Sequence, residues 1–382
     1  MGPLAGVRVL EFEAIGPVPF CGMMLADMGA DVLLVDRPTD PRLGLGRERW
    51  FDVMLRGRRS LTLDLKSVGG IAAARLLVEK ADALIEGFRP GVMERLGLGP
   101  DVLLTRNPKL VYGRMTGWGQ QGPLAARAGH DINYIALSGV LDAIGRAGDP
   151  PVPPLNLVGD FGGGGMLLAF GIACGLIEAR ASGRGQVVDA AMVDGASLLA
   201  TMFHGMIAGR QWGEERGRNV LDSGAPWYDA YETEDGKHVA IGAIEPKFYA
   251  ELLERLGLAA QALPAQHDRA RWPELRARFA AAFRTRTRHQ WCATFDGSDA
   301  CFAPVLSFAE ARADPHAQAR HAFVEVGGVE QPAPAPRFGR TPGAVPRAAP
   351  QRGAGGAEAL ADWGFDAREI EHFASLGAGF IR

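Results

Sequence analysis

Over roughly its first half the chain alternates short apolar runs with stretches of helical spacing, and this alternation restricts the fold more than any other feature. Residues 7–11 read as a buried strand, 21–28 as a helix closed by Gly29, and 32–36 as a second strand. Strand-like alternation returns at 60–66, helical spacing at 72–80, and further strands at 83–86, 110–115 and 185–192. Strands joined through helices pair in parallel, so an α/β fold built on a largely parallel sheet is expected. Asp36, ending the second strand, invites a dinucleotide site. The first turn is Gly16-Pro17-Val18-Pro19, however, and lacks the GxGxxG spacing that lets backbone approach a pyrophosphate. No nicotinamide cofactor is expected.

At 382 residues the chain is longer than one core usually serves, and two domains are expected. The character changes near Leu221. Residues 228–231 and 238–242 form a hairpin about Asp235-Gly236, and helices follow at 247–256, 272–283 and 288–295. This gives a large N-terminal part over 1–220, a small α+β domain over 221–325, and a linker with C-terminal return over 326–382. The Pro-, Ala- and Gly-rich stretch from 331 to 356 reads as extended, and Asp366 as the cap of a final helix.

A net charge of −3 supplies no footprint for nucleic acid. Cys21, Cys174, Cys292 and Cys301 form no CxxC pair, which points away from zinc and disulfides and toward a reducing compartment. The first residues do not read as a secretory leader, and no stretch is expected to reach the roughly 18 apolar residues of a membrane span. A cytoplasmic protein without a membrane partner is expected.

Two segments carry candidate chemistry: Ala128-Gly129-His130-Asp131-Ile132-Asn133-Tyr134, and Leu157-Val158-Gly159-Asp160-Phe161 followed by Gly162 to Gly165. Imidazole titrates near working pH, and a buried carboxylate can be tuned toward the same range. His130 and Asp160 on opposite sides of one carbon would remove a proton from one face and return it to the other, the chemistry of a racemase. Each also has a plainer reading: His130 as a satisfied core histidine, Asp160 as a helix N-cap. The glycines would let a ligand reach the amino end of a helix spanning 166–179, where free N–H groups favour a developing oxyanion. The basic loop Arg56-Gly57-Arg58-Arg59 is either a solvated turn or a seat for phosphates.

Taken together with Met115 to Gln120, Pro153 to Phe161, Gly185 to Gly195 and Val239 to Pro246, these segments resemble the α-methylacyl-CoA racemases, a branch of the class III CoA-transferase (CaiB/BaiF) family. The resemblance runs from Leu4 to about Pro342. It implies a Rossmann-like large domain, a smaller domain, and an interlocked homodimer that interconverts (2R)- and (2S)-2-methylacyl-CoA thioesters through an enolate. His130 and Asp160 fall on the two catalytic bases, and Glu245 on the acid that orients the histidine. CoA and substrate contacts fall on Arg37, Leu63, Lys66, Gly87, Phe88, Arg89, Arg95 and Gly129. No metal or redox cofactor is implied, since CoA arrives as part of the substrate. The same family contains transferases that form an aspartyl-CoA thioester, at the position of Asp160. The chain departs from the racemases at Glu13 and Val18, where small residues are usual, and in a longer loop from Thr39 to Val53, all bearing on the acyl pocket.

Overall fold

The computed structural model describes every residue except 1, 43, 47 and 382. Its main sheet has six parallel strands: β1 (Arg8–Phe12), β2 (Asp31–Asp36), β3 (Arg59–Thr62), β4 (Ala83–Glu86), β5 (Val111–Thr116) and β6 (Val187–Ala191). Their spatial order is β3-β2-β1-β4-β5-β6, the order of a doubly wound Rossmann-like sheet. The period of two along β1 sends Leu10 and Phe12 to one face and Val9 to the other. On the first face, opposite α1 (Pro17–Asp27), they meet α2 (Val68–Val78) and the C-terminal side chains Leu360, Trp363 and Phe373. On the second they meet α1 (Pro17–Asp27) and a long helix through Leu168 and Ile172. The exposed edge at β3 is sealed by the C-terminal segment, with Ser60 N–H donating to Ala354 C=O at 2.8 Å and Thr62 N–H to Gly379 C=O at 3.0 Å.

That long helix differs from expectation. It starts nine residues early, as a π-helical segment Leu157–Met166 that runs on into an α-helix, Leu167–Ser182. At 26 residues it is long and apolar enough to cross a membrane by length and composition, against the expectation that no stretch reaches that length. Leu168, Ile172 and Leu176 are buried against the sheet, as in the core helix of an α/β layer, while Met166, Phe170 and Ile177 are exposed.

The chain divides into two compact units, one of Met1–Ser138, Leu155–Ala200 and Gln318–Arg382, the other of Gly139–Pro154 and Thr201–Ala317. The breaks therefore fall at about 200 and 318, rather than 220 and 325, and residues 139–154 belong with the second unit. One reason is an antiparallel hairpin, Phe323–Val326 with Val329–Pro332, which spans the expected end of the small domain and reaches the first residues of the stretch read as extended. The buried Arg56 guanidinium donates to Gln331 Oε1 at 3.0 Å and Pro332 C=O at 2.7 Å, which ties the hairpin to the first unit. The second unit has a three-stranded antiparallel sheet, Tyr228–Glu232, His238–Gly242 and Phe302–Pro304, with Gly236 at φ 70° in the expected turn. Trp227, Phe279, Phe283 and Trp291 form its core.

Candidate active site

His130 is the N-cap of a short helix, Asp131–Leu137. Its N–H donates to the Asn133 side chain at 3.0 Å, so the backbone is fixed, while its ring makes no capping bond and is exposed. Tyr134 braces the approach: its hydroxyl donates to Gly129 C=O and its ring meets Trp118 edge-on at 4.8 Å. A Cβ at Gly129 would lie 2.7 Å from that ring, so only glycine fits there.

Asp160 sits in the first turn of the π-helical segment. Its Oδ2 accepts from Asn156 Nδ2 at 3.0 Å and faces Gly16, where a Cβ would come within 3.1 Å. The turn is held by a residue to which the sequence reading gave no role. Asp131 Oδ1 accepts the N–H groups of Gly159, at 2.6 Å, and Asp160, at 2.9 Å. Asp131 thus caps from a distance the helix that bears Asp160, and its buried Oδ2 has no partner among the described residues. No local signal predicts this, because the partners lie 28 and 29 residues apart.

Burial pushes the Asp160 carboxyl above the usual carboxylate range; the Asn156 bond opposes this, the Asp131 charge adds to it, and the His130 charge lowers it. His130 and Asp160 therefore act on one another electrostatically. Burial likewise raises the Tyr134 hydroxyl to about 12, with Asp160 and Asp131 adding and Arg89 opposing. Asp160, Asp131, Tyr134 and Arg89 form one electrostatic neighbourhood. Both plainer readings are set aside in geometry: His130 is exposed, and Asp160 caps no helix with its side chain.

The four glycines do not open the helix to a ligand. Gly163, Gly164 and Gly165 are buried; a Cβ on Gly163 would lie 2.6 Å from Ala196 N, and one on Gly165 2.7 Å from Pro17 C=O. They let neighbouring backbone pack against the π-helical segment. The amino end is at Leu157, not Gly162, and Asp131 takes two of its amides.

The basic loop is neither solvated nor a phosphate seat. Arg56 donates to Asp27 (Nε to Oδ1, 3.0 Å), Arg58 to Glu11 (Nε to Oε2, 2.9 Å) and Arg59 to Asp31 (Nη2 to Oδ2, 2.6 Å). All three arginines are buried, each neutralised by a carboxylate that only the fold brings near.

The expected CoA contacts lie along the carboxyl ends of β2, β3 and β4 and just beyond, where ligands of open α/β sheets bind. Arg37 N–H donates to Glu13 Oε2 at 2.9 Å, and its guanidinium lies 5.9 Å from the Phe88 ring centre. Lys66, Gly87, Arg89 and Arg95 are exposed. Leu63 is buried in the core, so only its backbone can meet a ligand. Glu13 is paired with Arg37 and, at 2.6 Å, with Arg352 from the C-terminal return. Val18 is buried against Gly87, 2.9 Å from where a Cβ would stand. The loop 39–53, of which Leu43 and Arg47 lie outside the described residues, borders a cavity of about 800 Å³ lined by Glu13, Ile15, Asp36, Trp50 and Arg352. Glu245 lies in the second unit, exposed, as the N-cap of Pro246–Arg255.

The model of CoA-transferase family III matches residues 4–355. The chain belongs to CoA-transferase family III. It is 49% identical to the α-methylacyl-CoA racemase of Mus musculus over 370 residues, covering 96% of this chain and 95% of the mouse protein. The Homo sapiens α-methylacyl-CoA racemase is 45% identical over the same shares. A succinyl-CoA–D-citramalate CoA-transferase of Chloroflexus aurantiacus is 33% identical and covers 94% of each chain. Among solved structures, a CAIB/BAIF family protein from Brucella suis superposes with a TM-score of 0.82 at 26% identity, over 95% of this chain and 99% of that one. The six-stranded parallel sheet is thus the sheet of this family.

Proposed function

We propose that the protein is an α-methylacyl-CoA racemase that interconverts (2R)- and (2S)-2-methyl-branched acyl-CoA thioesters by 1,1-proton transfer. The observation that carries this reading is the near-full-length identity of 49% and 45% to two racemases, against 33% to a transferase of the same family. The electrostatic influence of His130 on the Asp160 carboxyl supports it. In the reaction one of the two takes the proton from Cα and the electron pair moves into the thioester as an enolate. The other returns a proton to the opposite face. Atoms balance without an oxidant or reductant, so no redox cofactor is called for. The raised carboxyl of Asp160 suits both halves, since its protonated form must donate as readily as its ionised form accepts. Arg37, Lys66, Arg89 and Arg95 supply cations for the CoA phosphates, with the Leu63 backbone, Gly87, Phe88 and Gly129 beside them. The resemblance gives Glu245 the part of orienting His130. It also gives the protein a second copy of itself as partner, for which the exposed Phe170 and Ile177 are apolar surface to cover.

The test is one incubation of a single-enantiomer 2-methylacyl-CoA with the protein in heavy water, without an acceptor acid. Deuterium should enter Cα as stereochemistry is lost. No exchange until a carboxylic acid is added, with hydroxylamine trapping a thioester at Asp160, would make the protein a transferase instead.

A further inference from the structure

The turn after β4 bears three of the residues assigned to CoA, Gly87, Phe88 and Arg89, yet the side chain that shapes it is none of these. Glu86, the last residue of β4, is 1% exposed. Its Oε2 accepts the Phe88 N–H at 2.7 Å, and its Oε1 accepts Nε of Arg114, its partner on β5, at 3.0 Å. Arg114 then donates Nη1 to Glu94 Oε1 at 2.7 Å and Nη2 to Oε2 at 3.3 Å. Glu94 stands on the one-turn helix Val92–Arg95, next to Arg95. The Phe88 ring packs against Phe12 at 6.3 Å and lies under the Arg37 guanidinium. One relay of hydrogen bonds therefore braces the supports of Arg37, Arg89 and Arg95.

We propose that Glu86 is a positioning residue for the CoA moiety, its ionised carboxylate fixing the turn 87–89 directly and the helix Val92–Arg95 through Arg114 and Glu94. This rests on the reading of that turn as the CoA site. The chemistry of the relay is specific to an ionised acid. Both groups that Glu86 meets are donors, so a proton on either of its oxygens would face a donor and one of the two bonds would be lost. A packed apolar residue would suit the buried strand end better if burial were all that mattered.

The protonation state is within reach of ordinary pH. Burial raises Glu86 to about 7; the Phe88 N–H and Arg114 oppose the rise, and Glu94 adds to it. Among the described residues, neighbouring strands also carry Tyr112 on β5, whose hydroxyl burial drives far above its usual range, Asp189 on β6, raised by burial and opposed by the Gln120 N–H and Arg114, and Glu11 on β1, raised by burial and opposed by Arg58. Tyr112 stays neutral throughout. As pH falls through about 7, Glu86 gains its proton and the turn loosens.

The experiment measures KM and kcat for a 2-methylacyl-CoA from about pH 5.5 to 8.5, and free-CoA affinity by calorimetry, in the wild type, Glu86→Gln and Arg89→Ala. Wild-type KM should rise about tenfold as pH drops through 7, without a matching step in kcat. In Glu86→Gln, KM should already be raised at pH 8 and show no step, because an amide does not titrate. A wild-type KM flat across pH 7, or a step that survives in Glu86→Gln, would overturn the proposal, and the wild-type profile decides alone if the variant folds poorly. If Arg89→Ala leaves CoA affinity unchanged, the turn is not the CoA site, and it is that underlying reading that has failed.

Discussion

Six arginines of the first unit fall into two sets that differ only in where the fold leaves them. Arg56, Arg58 and Arg59 are buried and matched to Asp27, Glu11 and Asp31. Arg37, Arg89 and Arg95 lie past the ends of β2 and β4, with Arg89 and Arg95 exposed and Arg37 only loosely paired with Glu13, at 3.5 Å. The guanidinium is the same, and its use is decided by whether a carboxylate reaches it first. In the first set the charge holds strands and the C-terminal return together; in the second it remains available to an anion. A cluster of arginines in sequence therefore does not identify a phosphate site, whereas an arginine at the carboxyl end of a parallel strand with no strong internal partner is a better candidate.

The sharpest way to break this comparison is to remove a member of the buried set. Arg58 and Glu11 are both fully buried, and Arg58 also donates to Pro19 and Met54 carbonyls. Arg58→Ala leaves an uncompensated carboxylate in the core and should cost about 3–5 kcal/mol in urea unfolding. The double variant Glu11→Gln, Arg58→Met should recover most of that loss. A single variant as stable as the wild type would mean that the pair is not structural.

The exposed set should behave in the opposite way. Arg89→Ala should raise KM for the CoA thioester about tenfold, the scale of one charge-assisted bond, and change stability by less than about 0.5 kcal/mol. A shift in melting temperature as large as that of Arg58→Ala, with KM unmoved, would place Arg89 with the structural arginines.

The contrast also explains which features could be read in the sequence. The parallel sheet was legible because apolar runs such as 32–36 and 83–86 are contiguous and separated by helical periods. The helices at 272–283 and 288–295 occur at those very limits, and Asp366 caps its helix through a reciprocal bond with Glu369. His130 and Asp160 were picked out as candidates by their motifs, and the electrostatic influence of one on the other is a product of the fold. Arg56, Arg58 and Arg59 were misread because their partners are 28 to 47 residues away. The π-helical segment was missed for a different reason. Gly162 to Gly165 have the lowest helix propensity of any residue but proline, and only tertiary contact reveals that they serve close packing rather than a loop. Asp131 stood inside the quoted motif beside His130, and nothing local marks it as the cap of a helix that starts 26 residues later.

That cap yields the smallest of the expected effects and the one most specific to the site. Asp131→Asn keeps an oxygen to accept the Gly159 and Asp160 amides but removes a negative charge beside Asp160. Burial is the main cause of the raised Asp160 carboxyl, the Asn156 bond works against it, and the Asp131 charge is the second contribution that raises it. Without that charge Asp160 ionises more readily, so the acidic limb of kcat/KM, where Asp160 must be ionised to act as base, should move to lower pH by less than about one unit. The stability profile has a matching sign. A carboxyl raised in the folded state makes folding less favourable as pH climbs from its unfolded value through its folded one, because the native state holds the proton longer. Asp131→Asn should flatten that decline, as read by urea unfolding at steps of pH. A limb that moved to higher pH, or a steeper decline, would mean that Asp131 acts on Asp160 through the geometry of the cap and not through its charge.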